Sequence, residues 1–201
     1  MQVFLETERL VLRRFTETDV DHLYELDGDP EVMRFLTGGV STSRDVIEHE
    51  ILPHFMSYYE RGDGYGYWAA IEKSTGAFLG WFHFRPPNGA DPDEAGLGYR
   101  LRRVAWGQGY GTEASRALIR KGFAELGVRR VVASTAAANL ASRRVMEKAG
   151  LTLVRTYRIT WPGLFDGVEQ EDVEYALSKA DWERQQGAGV SQGAGRGDDR
   201  S

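Results

Sequence analysis

The sequence predicts a single-domain fold of the mixed α/β (α+β) class, and three observations predict it. Strand-like and helix-like segments follow one another in the order β, α, α, β, β, β, α, β, α, β, β, with a strand–helix–strand unit at the centre. A glycine-rich stretch, Trp106-Gly107-Gln108-Gly109-Tyr110-Gly111-Thr112, joins the central strand to an amphipathic helix. The chain has 201 residues, 41% of them hydrophobic and 27% charged, the balance of an ordinary globular domain with a sizeable core.

Residues 9–14 alternate in polarity and read as a strand, and residues 17–26 read as a helix with Thr16 as N-cap. A short helical piece covers 30–36. Val46, Ile47, Ile51, Phe55 and Tyr58 fall at helical spacing across 42–61, where Pro53 predicts a kink. Strands at 67–72 and 78–84 flank the turn Lys73-Ser74-Thr75-Gly76. Residues 85–93 form a proline-rich loop, and 95–101 is the strand that feeds the glycines.

Ala114, Leu118, Ile119, Gly122 and Leu126 share one face of the next helix, and Gly127 stops it. A β-rich run at 128–135 precedes a helix at 140–149 that ends at Gly150. Two last strands, 151–160 and 171–177, are joined through Asp166-Gly167, which makes seven strands in all. The domain covers residues 1–184. Residues 185–201 carry almost nothing apolar and read as a disordered tail.

Composition narrows the function. The formal net charge of -5 argues against a nucleic-acid partner, which would need a basic face. The chain has no cysteine, which excludes disulfides, thiolate zinc sites and a Cys nucleophile. None of the four histidines has metal-site spacing to another, so no metal is expected. With no apolar leader and no long apolar run, no membrane association is expected and the default location is cytoplasmic.

The glycine stretch carries the chemistry. Glycine permits positive φ and close ligand approach. The first turn of the following helix has backbone N–H groups with no internal partner, and with the helix dipole they make an anion site suited to phosphate. It is not a Walker loop, because no Lys follows the glycines, nor a dinucleotide fingerprint, because Thr112 stands in the third glycine place and the next strand ends without an acid.

The stretch resembles the [Q/R]-x-x-G-x-[G/A] motif of the GNAT superfamily of acetyl-CoA-dependent N-acetyltransferases, with Trp106 in the first place. That Trp, the segment Glu6-Thr7-Glu8-Arg9-Leu10-Val11-Leu12-Arg13, the run Leu97-Gly98-Tyr99 and the segment from Asn139 through Ser142, Arg143 and Lys148 to Leu151 are similar to the branch with the ribosomal-protein N-terminal acetyltransferases. The resemblance implies a mostly antiparallel sheet, splayed beside the glycine loop to admit the pantetheine arm. It also implies acetyl-CoA as co-substrate. An α-amino group, with a pKa near 7.7–8.0, is neutral far more readily than a lysine near 10.4, so the expected acceptor is a peptide N-terminus or a small-molecule amine. The resemblance leaves monomer and homodimer open.

Cofactor-binding residues by this reading are Trp106, Gly107, Gln108, Gly109, Tyr110, Gly111, Thr112, Asn139 and Ser142. Tyr110 has core packing as its alternative, and Asn139 has N-capping. Ser142 is a candidate proton or hydrogen-bond donor to the departing sulfur, a task that Tyr performs in some relatives. Arg143 and Lys148 either meet the 3′-phosphate or are solvated.

The general base is where the chain departs from its relatives, since Gly96 stands where they carry Glu. Glu94 shares the face of Gly96 and Gly98, about 6.6 Å further along the strand. His83 on the neighbouring strand is the other candidate, with an ordinary pKa near 6.5. Phe35, Tyr58, Trp68, Trp81, Tyr99 and Trp161 are candidate cleft residues, most of them core. The expected activity is direct acetyl transfer to an amine without an acyl-enzyme; the alternative is a non-catalytic acyl-CoA-binding regulatory module.

Overall fold

The computed structural model describes residues 2–62, 64–87, 93–160 and 169–193. Trp161, the Asp166-Gly167 turn and the last residues of the tail lie outside them. One sheet organises the chain, in strand order β1-β2-β3-β4-β5-β6-β8-β7. Its strands are β1 (Val3–Glu6), β2 (Leu10–Arg13), β3 (Gly66–Glu72), β4 (Phe78–Arg85), β5 (Glu94–Leu101), β6 (Arg130–Ala136), β7 (Thr152–Thr160) and β8 (Glu169–Ser178). Every pairing is antiparallel except β5 with β6.

The sheet thus has eight strands where the sequence predicts seven. The extra one is β1, four residues long and too short to display alternation. It is made by the Thr7 N–H bond to Leu10 O at 2.9 Å, which closes a turn onto β2, and by Phe4 stacking on Trp68 with centroids 3.7 Å apart.

Between β2 and β3 lie a 3-10 turn (Glu17–Asp19), α1 (Val20–Asp27) and α2 (Pro30–Thr37). Asp19 anchors that entry: its carboxylate accepts from Thr16 N–H at 2.8 Å and from both Arg13 Nη atoms at 2.7 and 2.6 Å. The segment predicted as one kinked helix is a helical rod in pieces: α3 (Arg44–Val46), a π turn (Ile47–Ile51), α4 (Leu52–Ser57) and a 3-10 turn (Tyr58–Arg61). Pro53 lacks an N–H and its ring clashes with the carbonyl four residues back. The π turn opens the helix there, with Leu52 N–H bonding to Ile47 O.

Downstream come a 3-10 turn (Arg103–Ala105), α5 (Tyr110–Glu125), α6 (Leu140–Lys148) and α7 (Lys179–Gly193). α7 continues past Gln185, so the segment expected to be disordered begins as helix. Gln185 Nε2 donates to Gly150 O at 3.1 Å, and Trp182 packs on Phe123 with centroids 5.5 Å apart. The apolar stripe that this helix lacks is replaced at its start by one aromatic residue.

The sheet has a core on each face. On one face Phe82, Phe84, Ala95 and Leu97 meet Ala114, Leu118, Ile119 and Phe123 of α5. α5 lies so close that a Cβ on Gly122 would fall 2.5 Å from Phe84 Cζ. On the other, Tyr67, Ala69, Phe78 and Trp81 meet Phe15, Leu23, Leu26, Ile47 and Phe55 from the helical layer. Each fully buried Leu or Phe contributes about 1.5–3 kcal/mol. The two cores fix β4 from both sides, and β5, packed on α5 through Ala95 and Leu97, presents the glycine loop.

Candidate active site

The loop between β5 and α5 has the conformation its glycines predict. Gly107 has φ 71° and Gly109 φ 85°, and Gly109 is the N-cap of α5. The first helical bond is Glu113 N–H to Gly109 O at 3.0 Å. The N–H groups of Tyr110, Gly111 and Thr112 therefore have no acceptor within the helix. A Cβ on Gly107 would meet nothing within 4 Å, and one on Gly109 only Arg9 Nη2 at 3.4 Å, so the cradle is open on its outer side. These features fit a pyrophosphate.

The loop is braced from below. Glu113 accepts from Thr7 Oγ1 at 2.6 Å, Arg9 N at 2.9 Å and Arg9 Nε at 2.6 Å. Arg9 also donates to Gln108 O at 3.0 Å and lies 4.2 Å over the Tyr110 ring. Gln108 Nε2 donates to Val104 O, and Trp106 Nε1 donates to Leu101 O at 2.8 Å. Tyr110 is buried with its hydroxyl on Glu72, the core-packing alternative for that residue.

Beside the loop the sheet opens. β5 and β6 pair only through Glu94↔Arg130, Ala95↔Val131 and Gly96↔Val132. Beyond Gly96 the parallel ladder ends, while β6 stays paired with β8 along its whole length. Backbone groups of 97–101 on that side of β5 thus face a gap, the splay that the resemblance implies.

Tyr99, on β5 at this gap, reaches across to α6. Its hydroxyl lies 3.0 Å from both the carbonyl oxygen and Oγ of Ser142. Burial pushes its pKa up to about 12, against a smaller lowering by the Ser142 bond, so it remains a donor at any ordinary pH. Asn139 caps α6 by accepting from Ser142 N–H at 3.2 Å. The sequence reading placed Tyr99 among cleft aromatics and missed this contact, because Tyr99 and Ser142 are 43 residues apart. The one signal was the parity that sets Tyr99 opposite in face to Gly98.

The other face of β4 and β5 holds the two candidate bases, and the structure keeps them apart. Glu94 accepts from Arg130 Nη1 at 2.6 Å, an ion pair at the closed end of the β5–β6 pairing. His83 is opposite Gly98, and a Cβ on Gly98 would fall 2.2 Å from His83 Nε2. The ring therefore occupies the space that the glycine leaves. Burial, reinforced by the Arg85 charge, lowers the His83 pKa to about 3, while a hydrogen bond to the Gly96 backbone opposes the shift. His83 is neutral throughout the physiological range.

Arg143 is tied to Tyr175 Oη at 3.1 Å and Ala137 O at 3.0 Å, so its head group faces the β8 side. The carbonyl of Lys148 accepts from Arg116 at 2.9 and 2.6 Å. Tyr58, Trp68 and Trp81 are core, and Phe35 is half-buried under Arg34. Among the described residues, no group of three or more His, Asp or Glu is placed to hold a metal ion, and no helix is long and apolar enough to cross a membrane.

Comparison with known proteins agrees with this geometry. The family described as "Acetyltransferase (GNAT) domain" matches residues 9–152. An FsC-acetyl coenzyme A-N(2)-transacetylase of Aspergillus fumigatus is 31% identical over 191 residues, covering 92% of this chain and 80% of that protein. Among solved structures, a GNAT-family acetyltransferase from Bacillus anthracis superposes with a TM-score of 0.74 at 22% identity, over 90% of this chain and 99% of that one. A RimL ribosomal-protein alpha-N-acetyltransferase in complex with coenzyme A superposes with a TM-score of 0.72 at 21% identity, over 88% and 98%. A glycine cradle open to a phosphate, a sheet that parts beside it and a family match across the central domain lead to one conclusion: the chain belongs to the GNAT family and is an acetyl-CoA-dependent N-acetyltransferase.

Proposed function

We propose that the protein transfers an acetyl group from acetyl-CoA to a primary amine of low pKa, a peptide N-terminus or a small-molecule amine, by direct attack. The observation that carries the reading is the Tyr99–Ser142 contact at the gap between β5 and β6. Bound acetyl-CoA would supply the activated thioester, its phosphates held by the backbone N–H groups of residues 107–112 and its pantetheine lying along β5 with Asn139 and Ser142 nearby. Tyr99 donates one hydrogen. When that hydrogen goes to Ser142 Oγ, the Ser142 hydroxyl hydrogen is released toward the gap.

Proton energetics define the role of this pair. A thiol titrates near ~8.5, well below Tyr99 at about 12, so the proton stays on oxygen and hydrogen-bonds the departing sulfur. The proton that neutralises the sulfur comes from the attacking nitrogen, which becomes strongly acidic once acylated. Ser142 is a hydrogen-bond relay, not a nucleophile, since no base adjoins it among the described residues.

The state of the candidate bases supports an amine that arrives neutral. Glu94 is held by Arg130, and His83, at about 3, has little affinity for a proton. At neutral pH about one α-amine in ten is unprotonated, against fewer than about one lysine side chain in a thousand. The N(2) acceptor in the name of the Aspergillus relative and the alpha-N acceptor in that of RimL agree with this class.

The test is release of free thiol from acetyl-CoA with three acceptor sets: peptides with free N-termini, small α-amines, and peptides whose only amine is a lysine side chain. Turnover is expected with one of the first two. Turnover with lysine alone would overturn the acceptor class, and a binding-only module would release no thiol.

A further inference from the structure

On the face of β3 and β4 opposite Tyr99, three rings form a box: Tyr67, Trp81 and His83, with centroids 5.4–6.1 Å apart. Two arginines flank it. Arg100 lies 5.2 Å over Trp81 and is neutralised by the buried carboxylate of Asp27. Arg85 lies 5.7 Å over Tyr67, bonds to Tyr67 Oη at 3.0 Å and Pro86 O at 3.3 Å, and has no carboxylate partner among the described residues. Its charge lowers the pKa of both His54 and His83, behind burial in each case.

Two buried atoms here lack partners, His83 Nδ1 and Arg100 Nε. His83 Nδ1 therefore has a hydrogen-bonding position that no protein group fills. Arg85 is opposite Gly96, the last β5 residue paired to β6 before the strands part. A cation with no carboxylate partner among the described residues, a buried ring nitrogen without a partner and an aromatic wall thus meet beside the last residue of the β5–β6 pairing. A hollow of about 390 Å³ between α1, α2 and the turn before the glycine loop is rimmed by Arg102–Glu25 and Arg103–Asp29 ion pairs, while Arg61, which also lowers the His54 pKa, lies 4.3 Å over Tyr58.

We propose that the acceptor is a primary amine that also carries a carboxylate, with Arg85 pairing the carboxylate and His83 Nδ1 accepting one amine hydrogen. The proposal rests on the acetyltransferase reading and specifies its substrate. Neutral His83 turns the nitrogen so that its lone pair points into the gap, and no base is needed. Gly98 makes room for the His83 ring itself, and Gly96 keeps the strand beside Arg85 free of a side chain. Arg85 and His83 act as specificity and positioning residues.

The test is direct binding to the protein loaded with coenzyme A, so that it does not depend on turnover. N-acetyl amino acids and their primary amides are titrated as matched pairs. A charge-assisted pair contributes about 1.5–3 kcal/mol, so each acid is expected to bind roughly 10- to 100-fold more tightly than its amide. Arg85→Met removes the difference without weakening amide binding, and Arg85→Lys restores part of it. Equal binding of acid and amide, no binding of either, a preference surviving in Arg85→Met, or stronger binding of phosphate-bearing amines would each overturn the proposal. If the acids bind selectively but acetyl-CoA is not consumed with the free amino acids, the fault lies in the acetyltransferase reading instead.

Discussion

Tyr99 on β5 and Ser142 at the start of α6 share a 3.0 Å oxygen–oxygen contact, so the strand beside the gap and the helix across it are joined by one hydroxyl pair. Because the two hydroxyls act as a unit, their removal is not additive. Tyr99→Phe is expected to lower kcat by about 10²-fold, Ser142→Ala by about 10-fold, and the double variant no further than Tyr99→Phe. Acetyl-CoA affinity stays constant in all three. Independent, multiplying losses in steady-state kinetics would refute the relay.

Gly109→Val is expected to abolish acetyl-CoA binding while leaving a folded protein. A β-branched side chain resists φ 85° and projects into the cradle. Gly111→Val acts differently, since a Cβ there already meets Val145 Cγ2 at 3.3 Å and a larger side chain drives α6 from α5. Circular dichroism with calorimetric titration of acetyl-CoA separates the two. Wild-type affinity in folded Gly109→Val would refute the loop assignment.

The pH–rate profile is expected to belong to the substrate. With His83 at about 3, and burial with the Arg85 and Arg61 charges holding His54 below its ordinary value, kcat/KM should rise through the pKa of the amine used. Two acceptors of different pKa should shift the limb by that difference. A limb fixed near 6.5 for both, and absent in His83→Gln, would restore His83 as base.

Asp19 ties acid stability to one buried pair. Burial raises its pKa, but the bonds from Arg13 and Thr16 outweigh that and hold it below the ordinary value. A carboxylate with a lowered folded pKa stabilises the fold above its unfolded pKa, near ~3.9, and loses that stabilisation as pH falls through the folded value. Stability is therefore expected to be flat above about pH 5 and to decline below about pH 4. Asp19→Asn should cost about 3 kcal/mol at neutral pH by leaving Arg13 half-buried and unpaired, and should flatten the acid decline. Chemical denaturation across pH checks both.

The C-terminal segment divides at α7. Ending the chain after Gln185 should leave melting temperature and activity nearly unchanged, whereas Trp182→Ala should cost more than ~1 kcal/mol by exposing Phe123. Thermal unfolding of the two decides. Equal losses would show that the terminal residues pack.

How much of this was legible depends on the range of the interactions concerned. The glycine loop was, because positive φ and a helix start are local requirements written at consecutive positions. The parity of Glu94, Gly96 and Gly98 was also legible and holds in the alternating burial along β5, where Ala95 and Leu97 are buried between them. What escaped depends on partners distant in sequence. Glu94 looked like a candidate base until Arg130, on the next strand, was seen to hold it. His83 kept its ordinary pKa in the sequence reading because neither the burial nor the Arg85 charge has a local signature. β1 was missed because four residues show no period, and its partner surface, Trp68, lies on β3.

The early end of the β5–β6 ladder has a consequence for the protein without its co-substrate. Three residue pairs join the leaf β1–β5 to the leaf β6–β8–β7 through the sheet, so the molecule encloses two strand edges of its own. Strand edges are templates for foreign chains. A pantetheine lying between them would act as a surrogate strand, and the ligand-free enzyme is a sheet with an unzipped seam. Saturation with coenzyme A should therefore suppress self-association as well as raise thermal resistance, making the co-substrate a guardian of the fold that consumes it.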